Sequence, residues 1–136
     1  MKYIALSFFC FTLLCSTCEK NKDDPKMRVK NNTKEAIYVS WHTQYPDTGL
    51  TYITNPTLNP HINKVSSNSL QESYYKAPSE GIFKTMKSDV LLVFIFDAET
   101  LESTPWDTVV ANYLILKRYE LTLQELNDMN WIVNYP

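Results

Sequence analysis

The hydrophobic positions of this chain fall into two regimes. From Tyr3 to Cys15 they form one block, interrupted only by Ser7 and Thr12 and preceded by the basic Lys2. Beyond residue 26 they come in short runs separated by polar turns. The block is too short to cross about 30 Å of hydrocarbon as a helix, which takes roughly 20 residues. It fits the apolar core of a secretory signal, typically about 7–15 residues.

Among the later runs the strongest is Val90-Leu91-Leu92-Val93-Phe94-Ile95-Phe96, apolar at every position. Alternate residues of a strand face opposite ways, so this one is expected to be central and covered on both faces. Ile37 to Trp41, Tyr113 to Leu121 and Trp131 to Tyr135 also read as strands, the second as a further core strand and the last with Trp131, Val133 and Tyr135 on one face. Met27 to Lys30 alternates weakly. It is expected to be an edge strand, paired as a hairpin with Ile37–Trp41 across the turn Asn31-Asn32-Thr33-Lys34. His61 to Ser66 and Ser69 to Tyr75 are expected as two short strands around Ser67-Asn68.

Helix signals are fewer. Ser79 precedes Ile82, Phe83 and Met86 at helical spacing, which predicts a short helix near 79–88. Thr104-Pro105-x-Asp107 gives a cap, a first-turn proline and an early acid for a helix near 104–112. Thr122-Leu123-Gln124-Glu125 has the form of a capping box opening a helix near 122–129. Between residues 42 and 60, three prolines, two Asn-Pro pairs and Gly49 predict a long surface loop, with at most an extended piece from Leu50 to Ile53. The pattern predicts a small α+β domain over residues 27–136, built on antiparallel, sandwich-like sheet. The connection 98–112 is long enough for a parallel crossover, so strand direction stays open.

Composition narrows the chemistry. Fifteen Asp and Glu face thirteen Lys and Arg, and Lys117-Arg118 is the one adjacent basic pair. That leaves no basic stripe of the kind nucleic acid requires. The three cysteines, Cys10, Cys15 and Cys18, all precede the domain, which therefore has no disulfide, cysteine zinc site or thiol nucleophile. With two glycines in the whole chain, Gly49 and Gly81, a glycine-rich phosphate loop is excluded.

Small Ser16 and Thr17, then Cys18, then the polar run Glu19 to Pro25 follow the apolar block. This order resembles a bacterial lipoprotein signal. The resemblance implies that residues 1–17 are removed, that Cys18 carries the lipid, and that residues 18–26 form an acidic tether. Lys22-Asp23-Asp24 resembles the export signal that sends Bacteroidetes-type lipoproteins to the exterior of the outer membrane. Ordinary secretory cleavage and a merely solvated tether are the competing readings.

The segment Phe94-Ile95-Phe96-Asp97-Ala98, Trp106-Asp107-Thr108-Val109, Leu116-Lys117-Arg118-Tyr119-Glu120-Leu121-Thr122-Leu123, Asn130-Trp131 and Tyr135-Pro136 resembles a family of small Bacteroidetes-type surface lipoproteins. That resemblance implies a membrane partner through Cys18. It brings no activity, cofactor or catalytic residue with it.

Candidate chemistry is sparse. His42 and His61 with Asp47 form a legitimate ligand set, but no short spacing fixes them, so exposed loop histidines and no metal are expected. Asp97, Glu99, Glu102 and Asp107 cluster around a turn, where paired carboxylates serve glycoside hydrolysis; a helix-start acid and solvated turn residues explain them better. Lys117 and Arg118 are expected on an exposed strand face. No catalytic residue is assigned. The aromatic loop remains, with Trp41, His42, Tyr45, Asp47 and Tyr52 as a candidate surface for a glycan or surface protein. The expectation is a non-enzymatic binding or structural domain without cofactor. An accessory glycan-binding module is the first alternative and a hydrolase the second.

Overall fold

The computed structural model describes residues 25–47, 49–71 and 77–136. The expected leader, Cys18 and the expected export signal Lys22-Asp23-Asp24 lie outside the described residues, as do residues 72–75 of the strand expected at 69–75. In chain order the elements are β1 (Arg28–Asn31), β2 (Ile37–His42), a 3-10 turn (Pro56–Leu58), α1 (Pro60–Asn63), β3 (Lys64–Val65), β4 (Ser69–Leu70) and α2 (Glu80–Phe83). They continue as β5 (Val90–Asp97), α3 (Ala98–Ser103), α4 (Trp106–Ala111), β6 (Lys117–Thr122), α5 (Leu123–Asp128) and β7 (Ile132–Tyr135).

The strands form two sheets. One has the order β3-β2-β5-β6 and is antiparallel throughout. The other has the order β4-β1-β7, with β1 antiparallel to β4 and parallel to β7. This is the expected small α+β, sandwich-like domain. Strand β5 is its centre: Leu91 to Phe96 are all 0 % exposed. Its alternation serves two cores. Leu91, Val93 and Ile95 pack with Val29, Leu126, Trp131 and Val133, between the sheets. Leu92, Phe94 and Phe96 pack on the other face with Leu50, Ile53, Leu101 and Val109, under α3, α4 and the 42–53 loop. Each such fully buried side chain contributes about 1.5–3 kcal/mol relative to exposure, so this strand holds the three layers together.

The expected hairpin of β1 with β2 does not form. The two strands belong to different sheets. The cause is Asn31, which is 0 % exposed. Its Nδ2 donates to the carbonyls of Glu35 at 2.8 Å and Ser66 at 3.1 Å, and its Oδ1 accepts from the Thr33 N–H at 3.0 Å. That side chain wraps the turn and sends the chain across to the second layer. Strand β1 is therefore interior to its sheet rather than at an edge, gaining β7 as a parallel neighbour.

The region expected as strands at 61–66 and 69–75 shows a similar division. His61 sits in α1, and β3 and β4 join different sheets. The helix at 79–88 is one turn, α2, with Ser79 at its N-cap position but without a side-chain cap hydrogen bond. Helix α4 begins at Trp106, and Thr104 closes α3 instead of capping α4. Helix α3 itself has no counterpart in the sequence reading. Asp97 caps it, accepting the Thr100 N–H at 2.7 Å. The Thr122–Glu125 capping box is present, reciprocal bonds included. Helices α4 and α5 end alike, with Tyr113 (φ 51°) and Asn130 (φ 52°) in the left-handed region. Leu114 N–H then donates to Val109 O, and Trp131 N–H to Leu126 O. These are Schellman closures, usually made with glycine at the turning residue.

Candidate functional site

The candidate site lies where β2 ends and the proline-rich loop begins. Strand alternation carries Tyr38, Ser40 and His42 to the helix-side face of the four-stranded sheet. His42 is 7 % exposed, which corrects the expectation of an exposed loop histidine. Its ring stacks on Phe94 with centroids 5.4 Å apart and planes 17° apart, and meets Tyr52 at 6.1 Å.

Hydrogen bonding fixes the ring chemically. The Gln44 N–H donates to His42 Nδ1 at 3.0 Å, so the neutral imidazole carries its proton on Nε2. Nε2 faces Asp47 Oδ2 at 3.4 Å. This is a close approach, not a formed hydrogen bond; both atoms are shielded and have no hydrogen-bond partner among the described residues. The other carboxylate oxygen, Asp47 Oδ1, accepts the Gly49 N–H at 3.0 Å. Asp47 thus closes the loop locally and lies beside the buried ring. Burial lowers the His42 pKa below its usual value; Asp47 pulls it back up, and Arg118 adds to the lowering.

Arg118, expected on an open face, is half-buried. Its Nη2 donates to Glu120 Oε1 at 2.7 Å, while its shielded Nε has no hydrogen-bond partner among the described residues. Burial opposes its charge, yet Tyr113 and Glu120 beside it leave its pKa above the ordinary arginine value.

The loop beyond is split between core and solvent. Leu50 and Ile53 are buried and cover Phe94 and its neighbours. Tyr45 and Tyr52 point outward, 41 % and 63 % exposed. Trp41 does not join them. It lies on the opposite face of β2, packed against the inter-sheet core. Of the five residues expected at this site, His42, Asp47 and Tyr52 come together around the buried ring, Tyr45 lies on the exposed turn, and Trp41 is structural. Arg118 and Phe94 complete the surroundings and were not expected there.

The other candidates disperse. His61 is exposed near β3, which pairs with Ile37 and Tyr38, at the far end of β2 from His42. Among the described residues, no three His, Cys, Asp or Glu side chains converge as a metal site. The acidic cluster comes apart as well. Asp97 is a helix cap, and Asp107 lies in the first turn of α4. Glu102 accepts from Tyr38 Oη at 2.8 Å and Lys64 Nζ at 2.6 Å. Lys64 and then Tyr38 lower the Glu102 pKa, while burial and then Glu102 push the Tyr38 phenol up to about 12. That triad fastens α3 to β2 and β3.

Two shallow cavities accompany these features. One of about 270 Å³ is polar and includes His61, Lys64, Ser66 and Gln71. One of about 290 Å³ is mainly apolar and lies between Phe83 and Leu123, with Glu80, Lys84 and Asp89 around it. Among the described residues, no helix is long and apolar enough to cross a membrane. No protein family, curated protein or solved structure matches this chain.

Proposed function

We propose that this chain is a lipoprotein, anchored through Cys18 to the outer membrane and facing the cell exterior, whose domain binds a partner without catalysing a reaction. The leader pattern and the Lys22-Asp23-Asp24 segment support the setting. The observation that carries the binding reading is the loop with two characters. Its base is fixed by the Gln44–His42 and Gly49–Asp47 hydrogen bonds and by buried Leu50 and Ile53, while Tyr45 and Tyr52 stand in solvent. A loop fixed before contact loses less entropy on binding. An aromatic ring exposed beside polar groups suits a sugar face or a protein epitope, and Tyr52 is 63 % exposed.

The test is a glycan array probed with the full chain, alongside extracts of surface proteins. Tyr45→Ala and Tyr52→Ala should each lower affinity by about 2 kcal/mol, near thirtyfold, with the melting temperature unchanged. Leu50→Ala, inside the core, should lower the melting temperature instead. Affinity that ignores both tyrosines, or falls only with melting, removes this loop as the binding surface.

A further inference from the structure

We propose that two copies of this chain pair edge to edge through β6, antiparallel, about a two-fold axis at Tyr119. Among the described residues, no strand pairs with the outer edge of β6. It is the longest such edge: β3 and β4 have two residues each, β7 has four and β6 has six. An open edge presents unpaired backbone donors and acceptors that a further strand can satisfy.

The charges on β6 select both the occupant and the register. Consider a second copy added so that the faces of the two four-stranded sheets run on continuously. The two-fold axis must then pass through a residue, because a one-residue slip would exchange the faces. With the axis at Arg118, that residue opposes the partner's Arg118. With the axis at Glu120, two carboxylates oppose each other. With the axis at Tyr119, Arg118 opposes the partner's Glu120, and Glu120 opposes the partner's Arg118. Of these three registers only the central one sets both charges opposite a charge of the other sign, and it does so twice per dimer.

The remaining side chains agree. Tyr119 comes opposite the partner's Tyr119, an aromatic cross-strand pair, and Lys117 comes opposite the partner's Leu121. Leu116, 48 % exposed at the start of the edge, reaches the partner's Thr122. The guanidinium has five donors, so contact with the partner's Glu120 adds to the internal Arg118–Glu120 bond. The result is one eight-stranded sheet built from two four-stranded ones.

Sedimentation equilibrium of the full-length chain in density-matched detergent tests this. Wild type should show a monomer–dimer equilibrium. Arg118→Glu and Glu120→Arg should each weaken it by about tenfold or more, since each places like charges opposite one another twice. An equimolar mixture of the two variants should restore the dimer, because every opposed pair is then of opposite sign. In parallel, hydrogen exchange on wild type should show the amides of residues 117–122 slowing as concentration rises from micromolar to millimolar. A chain monomeric over that range overturns the proposal. So do single reversals that leave the dimer intact, and two folded variants whose mixture stays monomeric. If a charge-reversed chain fails to fold, wild-type exchange decides: β6 amides indifferent to concentration overturn the pairing.

Discussion

His42 is the residue on which the candidate site turns. Its Nδ1 is committed to Gln44 and its Nε2 proton faces Asp47, both within a pocket walled by Phe94. A protonated ring there would face Asp47 favourably, yet burial outweighs that attraction and Arg118 adds a like charge. Tyr52 on the loop, with Tyr113 and Glu120 beside Arg118, completes the set of titratable neighbours. The folded-state pKa is therefore below the unfolded value of about 6.5. Between the two, the unfolded chain binds more protons, so stability rises with pH there; it is fully present above about 6.5 and is lost as pH falls from there through the lower folded-state pKa. Denaturant midpoints measured from neutral to mildly acidic pH should fall for wild type and flatten for His42→Gln. A wild-type profile no steeper than that of His42→Gln would show that burial of the ring does not govern it. The position was partly legible in the sequence. Extending the strand Ile37–Trp41 by one residue puts His42 on the same face as Tyr38. The proline-rich composition that follows suggested a loop, and composition is blind to where the last strand residue points.

At the scale of elements, Asn31 decides whether the chain makes a hairpin or changes sheet. Asn31→Ala removes the donor from the carbonyls of Glu35 and Ser66 and the acceptor from Thr33. It should cost about 1–3 kcal/mol in denaturant titration, the usual penalty for stranding buried polar groups. A cost near zero would mean that the turn holds without the amide. Sequence pattern identified β5, β7, the capping box and the α+β class, because each rests on local periodicity or local caps; it read a core strand from Tyr113 to Leu121, whereas the chain turns at Tyr113 and β6 runs from Lys117 to Thr122 along the edge of its sheet. It placed β1 in the wrong partnership because sheet assignment depends on a buried side chain 34 and 35 positions from the carbonyls of Val65 and Ser66 that it holds. Helix α3 was missed although Asp97 is a preferred N-cap residue, since Asp97, Glu99 and Glu102 read as solvated residues of a turn. The ends of α4 at Asn112 and α5 at Met129 were legible, but the left-handed turns that close them were not, because Tyr113 and Asn130 stand where glycine is usual.

At the scale of the whole molecule, the domain is a two-layer sandwich with helices and a pinned aromatic loop on its outer face. Nothing in that architecture requires a membrane; the setting comes from the leader, and the binding reading from the loop. The two meet in one claim, that Cys18 fastens the chain to a membrane from which the domain presents Tyr45 and Tyr52. Acyl chains on Cys18 would each contribute about 0.8 kcal/mol per buried methylene to that attachment. The most direct measurement is metabolic labelling of cells expressing the chain with a palmitate analogue. Wild type should carry the label in the membrane fraction, and Cys18→Ala should carry none. Label persisting on Cys18→Ala, or absent from wild type, would contradict the anchor.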